Sequence, residues 1–427
     1  MKKLTGSQAP AILQSLHWIF NPVSYLESNH NRYPDIFISR GTGFANTVVM
    51  VSHPEAMQQI LTSDRKQLSA PRDFNLLLRP LLGDRSVIML DGEAHKKRRQ
   101  LVMPSFHGDR MRAYGELIVK VTEQVMGQIS PGQPFLARAA MQDVSLQVIM
   151  EAVFGLSTGD RYQQLKQLLA SISDLFSSPF TAAVLFLPWL QKDLGAWSPW
   201  GKFSANGSTT DASIYAEISD RRHNPDPNRT DILSLLMAAQ DELGEPLTDL
   251  ELRDELMTLL SAGNETTATA MAWAIYWIHH EPEVLAKLRQ ELDGLGENPE
   301  YMDIARLPYL TAVCQETLRI HPVAMLTFPR VVQEPIELMG YPLEPGVILM
   351  GCMYLTHQRE DLYPNHQQFR PERFLEQQYS PYEFVPFGGG VRRCLGEALA
   401  LFEMKLVVAT VVSRYQLRLA DSLPENR

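Results

Sequence analysis

Phe387, Gly388, Gly389, Gly390, Val391, Arg392, Arg393, Cys394, Leu395 and Gly396 stand immediately before a helical pattern that runs from about Leu395 to Val412. Three consecutive glycines leave backbone N–H groups free and allow close approach. A helix amino terminus adds positive potential, and both effects favour a thiolate at Cys394. That is an environment for a metal ligand. It also suits a glycine turn followed by a buried cysteine, so other residues must decide between the two. The remaining cysteines, Cys314 and Cys352, are too widely spaced from Cys394 for a CxxC metal clip, and a total of three is odd for a disulfide framework. A reducing compartment follows.

The chain has 427 residues, with 45% hydrophobic and 21% charged, an ordinary globular composition. Its length allows about three domains or one large enzyme fold. Lys plus Arg is 39 against 49 Asp plus Glu, and the net charge of -10 argues against broad nucleic-acid binding. The amino terminus lacks the apolar core of a signal peptide. Phe180 to Leu190, with Pro188 inside it, falls short of the roughly 20 residues of a membrane span. A soluble cytoplasmic protein without a transmembrane anchor is expected.

Ile36 to Ser39 and Thr47 to Val51 read as short strands. Apolar residues at helical spacing then predict helices over Met111 to Ile129, Ala139 to Phe154 and Tyr162 to Leu175. Trp197 to Thr210 and His223 to Arg229 are rich in Gly, Pro, Ser and Asn and read as surface loops. Thr248 and Glu251 fit a capping box, and no proline interrupts the chain from there to His280. The result is one central helix of about 50 Å. Further helices are expected from Pro282 to about Leu292 and from Tyr309 to Ile320, with short strands between Val331 and Met353.

Within the central helix stand Ala262, Gly263, Asn264, Glu265, Thr266 and Thr267. Glycine inside a helix costs about 1 kcal/mol against alanine, so Gly263 requires a reason such as a flat ligand or a groove. Thr266 alone is equally consistent with a hydroxyl bonded back to a carbonyl one turn earlier. Glu316 and Arg319 share a helical face, and Arg373 follows in Pro371, Glu372, Arg373, Phe374. His95, Lys96, Lys97, Arg98 and Arg99 form a basic run that reads as a solvated face, a propionate contact or a docking patch.

Taken together, these motifs resemble the cytochrome P-450 family of haem-thiolate monooxygenases. Phe387, Gly390, Arg392, Cys394 and Gly396 fill every fixed position of its signature, and the motifs occur in family order from Pro22 to the last helix. The resemblance implies a mainly α fold with a small β region. Haem b (iron protoporphyrin IX) lies between the long central helix and the Cys394 loop, in a single domain over residues 1–427. It implies that Cys394 is the axial iron ligand, Phe387 shields its sulfur, and Arg392, His95, Arg99 and Arg330 meet the propionates. His95 replaces the family's usual Trp. Glu265 and Thr266 would relay protons to bound O2 beside Gly263, while Glu316, Arg319 and Arg373 lock the proximal side.

Phe74, Leu78, Ala262, Val323, Leu326 and Phe328 are the candidate pocket, suited to a fatty acid, alkane or terpenoid. No flavin, nicotinamide or iron–sulfur pattern is present, so NAD(P)H electrons would arrive through a separate reductase, a ferredoxin or a flavodoxin-type protein. A monomer is expected. Cys394 stands 33 residues from the end, leaving the family's terminal β-hairpin short or missing. The alternatives are a peroxide-driven hydroxylase or isomerase, and a non-catalytic haem-thiolate sensor.

Overall fold

The computed structural model describes residues 3–41, 47–63, 67–70, 78–106, 110–176, 195, 198–226, 228–242, 244–296 and 299–420. Ten helices frame the interior: α1 Gly92–Val102, α2 Arg110–Gly127, α3 Ala137–Phe154, α4 Asp160–Phe176, α5 Pro199–His223, α6 Asp249–Gly263, α7 Glu265–His280, α8 Pro282–Asp293, α9 Pro308–Ile320 and α10 Glu397–Arg414. The fold is mainly helical with a small β region, as the sequence implies. Helix α7 packs on α3, α9 and α10, which makes it the centre of the largest apolar core.

The expected central helix is two helices. The Thr248–Glu251 capping box starts α6 as predicted, but the helix breaks at Asn264 (φ -80°, ψ -71°) before α7 begins. At the break the Ser145 hydroxyl of α3 donates to the Gly263 carbonyl at 3.4 Å. Side chains that insert into the carbonyl ladder are a recognised cause of helix kinks. The structure also gives Gly263 a reason that sequence left open: a Cβ there would stand 2.9 Å from Ile149 Cδ1, so glycine lets α6 meet α3 closely.

A second correction concerns 199–210, read as loop and found inside α5. Ser198 caps that helix by accepting from the Gly201 N–H, Pro199 occupies its first turn, and α5 packs on α4 and α6. Packing thus overrides the low helix propensity of Gly201, Gly207 and their Ser and Thr neighbours.

The β region is a five-stranded sheet in the order β1 Ile36–Arg40, β2 Thr47–Val51, β7 Ile348–Gly351, β4 Arg330–Val332 and β3 Leu68–Ser69, beside a hairpin of β5 Ile336–Leu338 and β6 Tyr341–Leu343. Strands β2 and β7 pair in parallel, with Val49 opposite Leu349, and the other pairs are antiparallel. Residues 415–420 form no strand. No helix of the described residues is long and apolar enough to cross a membrane.

Candidate active site

The Cys394 loop is closed on itself. The Cys394 N–H donates to the Phe387 carbonyl at 3.0 Å and the Gly388 N–H to Val385 at 3.1 Å. Gly388 and Gly390 hold φ of 65° and 63°, in the left-handed region, and a Cβ on Gly390 would lie 2.0 Å from the Leu61 carbonyl oxygen. Glycine is therefore required at position 390 for the turn and for its close approach to the Pro54–Thr62 helix. Phe387 is half-buried against the main core. Gly396 ends the turn where α10 begins.

Cys394 is exposed, while Cys314 and Cys352 are buried. Yet surrounding protein desolvates its thiol and raises its pKa, against the N–H groups of Gly396 and Glu397 and the charge of Arg99, which lower it. Accessible surface combined with desolvation describes the wall of a recess. The helix terminus and Arg99 act in the direction expected from sequence, but burial outweighs them. A coordinated cation deprotonates such a thiol outright.

Around this loop the basic residues occupy distinct positions. Arg99 Nη1 donates to the Arg393 carbonyl at 2.6 Å, beside Cys394, and burial lowers its pKa. His95 is buried on the same helix, α1. Arg392 reaches carbonyls of the preceding segment, Leu90 at 2.6 Å and Ala70 at 3.0 Å, and so ties the cysteine loop to them. Arg330 is 4% exposed, and among the described residues its Nη1 donates to the neighbouring Phe328 and Pro329 carbonyls. Burial pulls its pKa down to about 10. No carboxylate among the described residues pairs with it, so Arg330 is a buried cation suited to an anionic group.

On the opposite side, Ala262 and Thr266 are exposed although Asn264, Thr267 and Ala268 between and beside them are buried. The two lie one turn apart on one helical face. Both stand in helices whose other residues are mostly buried, and α7 packs directly on α10, which Cys394 precedes. The Thr266 hydroxyl donates to the Ala262 carbonyl at 2.6 Å. Glu265 is turned toward α3, where it accepts from Gln142 Nε2 at 2.7 Å and from Arg138. Neither partner was legible in the sequence, because contacts between separate helices leave no spacing signal.

Among the candidate pocket residues, Leu78, Val323, Leu326 and Phe328 are partly buried. Leu326 bridges to Cys352. Phe74 lies outside the described residues.

Glu316, Arg319 and Arg373 come together with almost no exposure. Arg319 donates to both Glu316 oxygens at 2.7 and 2.9 Å, Arg373 Nε to Oε1 at 3.1 Å, and the Arg370 N–H to Oε1 at 2.9 Å. The guanidinium of Arg319 also reaches the His357 and His366 carbonyls.

A family model described as Cytochrome P450 matches residues 7–426. The chain belongs to the cytochrome P450 family. A Mycobacterium tuberculosis protein named "Putative cytochrome P450 135B1" is 33% identical over 413 residues, 96% of this chain and 85% of that protein. Another from the same organism, "Putative cytochrome P450 135A1", is 32% identical over 416 residues, 97% of this chain and 89% of its own length. The solved structure of retinoic acid bound cyanobacterial CYP120A1 superposes with a TM-score of 0.80 at 24% identity, covering 93% of this chain and 88% of that one. The P450 family is one of haem-iron oxidoreductases. The accessible Cys394, the buried Arg330 with no carboxylate partner among the described residues, and the exposed Ala262–Thr266 face fit such a group.

Proposed function

We propose that this P450 hydroxylates an apolar small molecule with O2 and two electrons from a separate NAD(P)H-linked ferredoxin or flavodoxin-type donor. The observation that carries the reading is the accessible Cys394 thiol on a loop closed by its own hydrogen bonds, while the other two cysteines are buried. Haem bound there supplies an iron whose thiolate ligand favours O–O cleavage.

In this reading the chain's residues divide the work. Cys394 would ligate the metal, Arg330, Arg99 and His95 would hold the propionates, and Arg392 braces the loop. Thr266 would hold and deliver a proton at Oγ1, which now rests on the Ala262 carbonyl. Glu265 supplies protons, and its ties to Arg138 and Gln142 must loosen for it to do so. Leu78, Ala262, Val323, Leu326 and Phe328 bind apolar substrate and exclude water. A fatty acid, alkane or terpenoid suits them. The fold neighbour's ligand, retinoic acid, is of that apolar kind. Glu316, Arg319 and Arg373 fix the proximal architecture.

The test is the absorption spectrum of the reduced protein under carbon monoxide, followed by turnover with a donor. A strongly red-shifted Soret band is expected, lost in Cys394→His and kept in Cys314→Ser. A band that survives Cys394→His overturns the ligand assignment. Product formed with peroxide alone, and none with O2 and a donor, would replace the reading by a peroxide-driven one. A band without any turnover would favour a sensor.

A further inference from the structure

Arg98 precedes Arg99 in α1 and turns to different neighbours. Its side chain is buried, 6% exposed. Nη2 donates to Glu251 Oε1 at 2.5 Å, while Nη1 donates to Glu255 Oε1 at 2.9 Å and to the Arg85 carbonyl at 2.7 Å. Glu251 and Glu255 lie one turn apart on α6, and Glu255 is fully buried, its Oε2 without a hydrogen-bond partner among the described residues. The Arg85 segment is fixed as well. Its N–H donates to Asp254 Oδ2 at 2.8 Å, and the Ser86 and Thr258 hydroxyls meet at 2.6 Å. One guanidinium therefore joins α1 to two acids of α6 and to a backbone segment that α6 itself holds.

Little else sets the rotation of α1 about its own axis. A helix is normally oriented by an apolar stripe facing the core. Of the eleven residues of α1 only His95, Arg98 and Val102 are buried, and its apolar packing is confined to Val102 and the partly buried Leu101 in the last turn. A rigid guanidinium fork that grips three fixed acceptors supplies the missing constraint. Arg99 follows Arg98 by about 100° of rotation. It donates to the Arg393 carbonyl at 2.6 Å, beside Cys394. Rotation fixed at Arg98 is thus fixed at Arg99.

We propose that Arg98 is a positioning residue: by clasping Glu251, Glu255 and the Arg85 carbonyl it sets the rotation of α1 and so aims Arg99 at the cysteine loop and at an anionic haem propionate. The clasp itself depends on no ligand; its effect on a propionate rests on the reading of Arg99 as a propionate partner.

Two measurements on the haem-loaded protein test this: the rate at which it gives up haem to excess apomyoglobin, and the propionate bending modes in its resonance Raman spectrum. Arg99→Met should quicken transfer at least about tenfold, the scale of one lost charge-assisted hydrogen bond, and shift a propionate mode. Arg98→Met should do the same with Arg99 intact. Alone it strands the Glu255 charge and risks the fold, so Arg98→Met combined with Glu255→Leu, which removes both charges, carries the comparison. That pair should unfold near the parent's denaturant midpoint yet still lose haem about tenfold faster, with the shifted mode. Parent-like transfer and modes in the pair would show that packing alone orients α1 and overturn the proposal. In an Arg99→Met background the pair should add little, because Arg98 acts through Arg99. Fully multiplicative effects would mean a general loosening and overturn the positioning role. If Arg99→Met changes neither readout, the propionate reading of Arg99 fails and the proposal with it; if Arg99→Met acts and the pair does not, the proposal alone fails. Neither readout needs turnover, so a failure of the monooxygenase reading is seen separately.

Discussion

The two sides of the recess handle buried polarity in opposite ways. On the proximal side Glu316 accepts four hydrogen bonds, from Arg319 twice, Arg373 and the Arg370 backbone, and both its oxygens are used. At the break between α6 and α7, Ser261 Oγ and Asn264 Oδ1, and within α10 Glu403 Oε1, are buried and have no partner among the described residues. A fully satisfied buried network has one low-energy arrangement; a partly satisfied one leaves room for rearrangement. Glu316 thus has one low-energy arrangement, and its partner Arg319 connects through the His357 carbonyl and ring to Val385 ahead of the cysteine loop, although His357 Nδ1 is itself buried without a partner among the described residues.

Breaking the satisfied side should have the largest effect. Arg319→Ala leaves the Glu316 carboxylate buried with half of its donors gone and frees the His357 carbonyl. A loss of about 3–5 kcal/mol is expected, measured by denaturant unfolding, with haem loading falling in parallel. A loss below about 1 kcal/mol would show that the cluster is not the proximal lock.

Changing pH should separate the two sides next. His357 is buried, and its Nε2 accepts from the Val385 N–H at 2.9 Å, so the ring is neutral. Burial and Arg319 push its pKa down to about 3, against an ordinary 6.5. Between those values the unfolded chain binds more protons, so stability falls as pH falls. Glu403 has the opposite sign. Its pKa is near 8 against an ordinary 4.5, so the folded chain binds more protons in that window and stability falls as pH rises. Hydrogen exchange, corrected for intrinsic rates, should therefore quicken around Val385 at about pH 5 and around Glu403 in α10 at about pH 8.5. The same segment responding at both extremes would remove the distinction.

This asymmetry also explains what the sequence could and could not tell. Phe387, Gly390, Arg392, Cys394 and Gly396 were legible because a turn, its glycines and its cysteine are local. Glu316 and Arg319 were legible by their helical spacing, and Arg373 through the resemblance. The break at Asn264 was not, since the contact that meets it comes from Ser145, more than a hundred residues earlier and on a different helix. Helix α5 was hidden for a similar reason: its residues favour loops, and its packing against α4 and α6 decides. Arg98 shows the same limit within a motif. Read as part of an exposed basic run, it is buried and bonded to Glu255 at 2.9 Å, Glu251 at 2.5 Å and the Arg85 carbonyl at 2.7 Å.

Thr266→Ala sharpens the distal side at a more modest scale. The variant loses the hydroxyl that now rests on the Ala262 carbonyl, with no core packing removed because Thr266 is exposed in the recess. Electron consumption should continue, peroxide should rise, and product formation should fall toward the lower end of the roughly 10²–10⁴-fold range of proton-transfer catalysis. Thr266→Ser, which keeps the hydroxyl, should recover most of it. Unchanged coupling in Thr266→Ala with normal haem loading would remove the proton role.

The smallest effect is expected outside both sides, on the face of α1 that carries Lys96 and Lys97. Successive helical residues turn by about 100°, so three adjacent cations cannot all face outward. The structure resolves which do: Lys96 and Lys97 are exposed, Lys96 within 3.7 Å of Glu93, and Arg98 points inward. In a chain with net charge -10 these two lysines form a local positive patch on the helix that also carries Arg99. If an acidic ferredoxin docks there, Lys96→Glu and Lys97→Glu should slow stopped-flow reduction by roughly three- to tenfold at low salt and flatten its ionic-strength dependence, because rim charges steer encounter. Haem content and the carbon monoxide band should not change, since neither side chain reaches the cysteine loop in the contacts described. A reduction rate that ignores both salt and the substitutions would place the donor on another face and leave the proximal and distal assignments as they stand.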